Sequence, residues 1–151
     1  MAPSIGATFA IAAKRHFQDA SELNRQKRHA SADHLAGFAA ECALKAIILD
    51  FLGGQANKPG AKPSLAHQGV NHSFGHLPPL WGQVALVMQG RGAGSQFAIL
   101  LNSQNPYSRW NVSDRYQDGR IITAQRVNDH LTAARKLLSH YQQAQINGSL
   151  T

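Results

Sequence analysis

Apolar and polar positions along the chain alternate with the period of a helix almost throughout. Ile5, Phe9, Ala12, His16, Ala20 and Leu23 recur at spacings of three and four, which predicts a first helix over about Ile5 to Leu23 with one buried stripe. Residues 35–49, LAGFAAECALKAIIL, are apolar on nearly every side, and only Glu41 and Lys45 interrupt them, one turn apart. A helix of that kind belongs in the middle of a bundle. Ser31 or Asp33 is the expected cap at its start, and the Gly53-Gly54 pair its end.

Residues 55–72 contain Pro59, Gly60, Pro63 and Gly69, and read as a long loop, the part of the chain expected to be most mobile. A third helix follows His76-Leu77-Pro78-Pro79, with Leu80, Val84, Val87 and Met88 as its stripe. Ser95 is the expected cap of a short fourth helix carrying Phe97, Leu100 and Leu101. The last helix is predicted from about Ala124 to Gln145, capped by Thr123, with Val127, Leu131, Ala134, Leu138 and Tyr141 inward. No segment shows strand alternation. The pattern predicts one all-α domain over residues 1–151, an up-and-down bundle of four to five helices.

Composition narrows the class. With 151 residues and 43% hydrophobic content the chain can bury a core, which excludes a disordered protein. The formal charge of +7, from 15 Lys+Arg against 8 Asp+Glu, favours acidic partners such as nucleic acid, although no run is dense enough for a polybasic arm. The lone Cys42 fits a reducing compartment and reads as a small core residue rather than a nucleophile. Lys14 and Arg15 interrupt the N-terminal apolar stretch, so no secretory leader is expected, and no apolar run approaches the ~20 residues that span a membrane. A cytoplasmic location follows as the expectation.

Three pieces of the chain resemble HEPN domains, a family of small helical bundles. They are A-E-C-A-L-K-A at residues 40–46, His76-Leu77 followed by Leu80, and Trp110-Asn111-Val112-Ser113-Asp114-Arg115-Tyr116. The resemblance implies a helical bundle that forms a homodimer and works around RNA or nucleotides. It also implies a toxin–antitoxin or defence setting, with a nucleotidyltransferase or antitoxin as partner protein. Its ribonuclease members use an Arg-x(4–6)-His motif without metal: His moves the 2′-hydroxyl proton and Arg holds the phosphate.

Arg28 and His34 have that spacing, and are the catalytic candidates, but lie earlier in the chain than the family's motif. Arg135 and His140 also have it, yet on a helix they point about 140° apart. Arg126 and His130 share a face but depart from the motif. The favoured reading is therefore a non-catalytic module that binds a partner protein, RNA or a nucleotide. A metal-independent endoribonuclease and a purely structural or assembly protein are the alternatives.

Trp110, Asp114, Arg115 and Tyr116 form the candidate binding or structural corner. Arg115 is expected to pair with Glu41, because a buried charge requires an opposite one, with Lys45 as the competing partner. The spacing of His67, His72 and His76 matches no zinc-finger pattern, so neither a metal nor a cofactor is expected. Gly90-Arg91-Gly92-Ala93-Gly94-Ser95 lacks the strand and the G-K-[S/T] of a phosphate loop, and reads as a helix–helix turn.

Overall fold

The structure, a computed structural model, describes residues 2–89 and 95–150. The expected turn at residues 90–94 lies outside them. Among the described residues five α-helices form: α1 (Ile5–Arg25), α2 (His29–Phe51), α3 (Pro79–Met88), α4 (Gln96–Asn102) and α5 (Ala124–Asn147). Helix α2 packs on α1, α5 and α3, and α4 packs on α3. Ala32, Ala36, Ala39, Ala40, Ala43 and Ala46 are fully buried on α2. Their small side chains permit the surrounding elements to approach from several sides, as the all-round apolar pattern predicts. The Ser95 and Thr123 side chains accept from Ala98 and Arg126 N–H and start α4 and α5 as expected.

The start of α2 differs from expectation. Helix α1 ends in a Schellman motif, with Arg28 N–H bonded to Leu23 O and Lys27 N–H to Asn24 O. Lys27 takes the left-handed position at φ 61°, where glycine is usual. That substitution hides the turn from a reading by residue type, and α2 begins at His29 rather than Ser31 or Asp33. Asp33 is not a cap; it is buried.

The expectation of a chain without strands is corrected. Ser64–His67 (β1) and Val70–Ser73 (β2) pair antiparallel within the segment whose glycines and prolines predict a loop. Gln68 and Gly69 make the two-residue turn with positive φ at both positions, which matches the twist of a hairpin. Each strand has four residues and only Leu65 of them is buried, so alternation is too short to register in the sequence. Leu65 and Phe74 anchor the hairpin in the core, and Gln55 and Ser64 exchange two backbone hydrogen bonds at 2.8 Å. The described residues are thus mostly helical, with one small sheet.

The large apolar residues of α2 are partly covered within the chain. Ile47, Ile48 and Leu52 are buried, whereas Phe38 and Phe51 stay half-buried.

Candidate functional site

Two of the three motif pieces meet in space. Glu41, on α2, is 4% exposed and its carboxylate accepts from His76 Nδ1 at 3.0 Å, from Leu77 N–H at 3.1 Å and from Lys45 Nζ at 3.3 Å. Lys45 is buried too, so the ion pair is out of water. The carboxylate ties the entry of α3 to the middle of α2. Arg115 does not reach it, which corrects the expected pairing: Arg115 is exposed, with its guanidinium 4.9 Å from the Tyr116 ring. The Lys45 ammonium, one turn away on the same helix, needs no loop to be ordered before it can pair, and it takes the position.

The third piece is a corner. Trp110 is 1% exposed and donates through Nε1 to the Asp33 carbonyl at 3.0 Å. Gly37 makes that approach possible, since a Cβ there would lie 1.9 Å from Trp110 Cε2. A one-turn 3₁₀ helix, Val112–Tyr116, follows. It is held by a capping box in which Asn111 accepts from Ser113 N–H and Asp114 accepts from Asn111 N–H. Asp114 is therefore engaged in the turn, and Tyr116 projects into solvent at 75% exposure.

The 3₁₀ turn and the first turns of α2 enclose a cleft of about 350 Å³. His34, Ser31, Asp114, Arg115 and Gln117 line it, so the structure brings one of the catalytic candidates together with the corner residues. Arg28, exposed at the N-cap of α2, is not among the lining residues, so the Arg28–His34 combination does not share this site.

The His34 ring stacks on Trp110 at 5.7 Å and meets Phe38 edge-on at 4.8 Å. Its Nδ1 is buried without a hydrogen-bond partner among the described residues. Burial, and then the nearby Arg115 charge, hold His34 below the usual histidine value despite the opposing carboxylates of Asp114 and Asp33. It is neutral at pH 7. Among the described residues no side chain caps α2, and its first turn holds no acid, so the start of this 23-residue helix presents N–H groups without a described partner beside the cleft. Arg115, a neutral imidazole, Ser31 and Gln117 together suit a phosphate with hydrogen-bonding groups attached.

Asp33 and His130 were not picked out from the sequence as a pair. His130 Nδ1 donates to Asp33 Oδ1 at 2.5 Å with both residues at most 3% exposed, and Tyr107 Oη donates to the His130 carbonyl at 2.6 Å. Burial pushes the Tyr107 phenol well above its usual range, so it stays a donor. The group fastens α2, α5 and the corner behind the cleft. The acid at position 33 and the histidine on the face of the last helix were visible singly; their separation of 97 residues concealed the pair.

The remaining candidates lie outside the cleft. His140 packs edge-on against Phe97, and Arg135 is exposed on another face of α5. Cys42 is half-buried, and burial beside Glu41 pushes its thiol up to about 11, which makes it a poor nucleophile. No helix of the described residues is long and apolar enough to cross a membrane. Compared with known proteins, the chain matches no family model, no curated protein and no solved structure.

Proposed function

We propose that the protein is a non-catalytic, HEPN-like module that binds RNA or a nucleotide, with a phosphate seated in the cleft between α2 and the 3₁₀ turn. The observation that carries this reading is the convergence of Arg115, His34 and Ser31 on the uncapped start of α2. The net charge of +7 acts in the same direction by steering polyanions to the surface. Arg28 lies off the cleft, so the Arg-x5-His spacing does not place its arginine beside His34 there. A homodimer belongs to the same proposal, and light scattering is expected to give twice 16.3 kDa.

Fluorescence anisotropy with labelled single-stranded RNA tests the binding. Affinity is expected to fall as salt rises, and Arg115→Ala is expected to weaken binding and reduce the salt slope by about one contact. Absence of any salt-dependent binding rejects the proposal in favour of an assembly role. The endoribonuclease reading is favoured by one observation, the neutral His34 in the same cleft as Arg115. RNA cleavage abolished by His34→Ala selects that reading over the non-catalytic one.

A further inference from the structure

The β1–β2 hairpin carries a second constellation, which shares no residue with the cleft. Cross-strand partners are Leu65 with His72 and His67 with Val70. Directly opposed residues share a face, and faces alternate along a strand, so Leu65, His67, Val70 and His72 lie on one side. Leu65 anchors that side in the core, while Val70 at the tip is 56% exposed. The two histidines between them are diagonal neighbours, with ring centroids 6.1 Å apart.

That separation is within reach of a shared cation. A Zn–N bond of ~2.0–2.1 Å places a ring centroid about 3.2 Å from the ion, so two rings at the tetrahedral angle are about 5.2 Å apart and two in line about 6.4 Å. The observed value falls between, and small side-chain rotations span the range. His67 Nε2 is buried with no hydrogen-bond partner among the described residues. Such an atom gains from acquiring one. The His72 ring likewise makes no hydrogen bond within the described residues, and both histidines are half-exposed. The third histidine of the segment, His76, is occupied by Glu41. The tight Gln68-Gly69 turn and the Gln55–Ser64 bridge hold the register of the two strands, so the pair is preorganised rather than assembled on binding.

We propose that His67 and His72 form a two-histidine site for a borderline divalent cation of the zinc, nickel and copper class. Imidazole nitrogens select this class over magnesium or calcium, which prefer oxygen. No group of three or more His, Cys, Asp or Glu that could hold a metal occurs among the described residues. Water, or the same histidines of a second copy, therefore completes the coordination.

Isothermal titration of the full chain with Zn²⁺ tests the site, with a thermal melt in parallel. Saturable binding is expected, at one ion per chain if water completes the shell or one per two chains if a second copy does. Zn²⁺ is expected to raise the melting temperature, since it binds the folded hairpin and not the separated strands. His72→Ala, a half-exposed position that keeps the core intact, is expected to weaken binding roughly ten-fold or more by removing the chelate. His67→Ala is expected to do the same, whereas His140→Ala is not. Absence of saturable binding up to about 1 mM Zn²⁺ overturns the proposal, as does binding that survives both His67→Ala and His72→Ala.

Discussion

Replacing Glu41 by Ala removes the carboxylate at the centre of the helical core. Three donors lose their acceptor: the Lys45 ammonium at 3.3 Å, the Leu77 N–H at 3.1 Å and the His76 ring at 3.0 Å. Lys45 and Leu77 are buried, at 7% and 2% exposure, so water does not replace the lost partner cheaply. His76 is half-exposed at its side chain and can turn to solvent. The dominant cost is the ammonium left unpaired, for which breaking a buried pair typically costs about 3–5 kcal/mol. The orphaned amide alone is worth about 1–3 kcal/mol, and the two do not add in full because Lys45 can extend towards the surface.

For a domain of this size about 2–4 °C is lost per kcal/mol, so a melting-temperature drop of roughly 6–20 °C is expected. Glu41→Gln keeps an acceptor for Leu77 and is expected to lose less. Glu41→Leu combined with Lys45→Met removes both charges, and is expected to recover much of the loss. Arg115→Ala, on an exposed guanidinium, is expected to stay within about 0.5 kcal/mol of wild type. Urea titrations of the variants decide the matter. A Glu41→Ala protein as stable as wild type refutes the buried anchor. An Arg115→Ala protein that loses several kcal/mol restores the arginine as the carboxylate's partner.

Two further outcomes follow from the geometry. Gly37→Ala places a methyl 1.9 Å from the Trp110 ring, so the indole must leave its seat and its bond to Asp33; the expected loss is at least the ~1–3 kcal/mol typical of overpacking, with a red-shifted tryptophan emission as the direct readout, and an unshifted spectrum contradicts the contact. His140 titrates below its ordinary value because it is desolvated against Phe97, so folding favours its neutral form; its contribution is fully present above the unfolded value of about 6.5 and is lost as pH falls through the lower folded value. Melting temperatures between pH 7 and 5 should therefore decline less steeply in His140→Gln than in wild type, and parallel curves contradict the assignment.

Local pattern determined a great deal of this protein. The Ser95 and Thr123 caps and the Gly53-Gly54 stop are set by backbone geometry within a few residues and appear where expected, whereas on α1 only Phe9 and Ala20 of the expected stripe are buried, joined by Gly6 and Ala13. The central position of α2 follows from its composition alone, because alanines on every face leave no side for water. The corner was legible as a cluster of aromatic and charged residues, but its division of labour was not. Trp110 is consumed by the core, Asp114 by a cap, and Arg115 is left for solvent or a ligand.

What the sequence left open concerns partners distant along the chain. A buried Glu41 demands a cation, and Lys45, one turn along the same helix, was a candidate legible in the sequence, but only packing brings His76 to the same carboxylate. The same is true of Asp33 with His130, of His34 with Arg115 across the cleft, and of His67 with His72 across the hairpin. Helices announce themselves through contacts three and four residues apart. Ion pairs, clefts and cross-strand neighbours depend on how elements are brought together, and only the tertiary structure decides that.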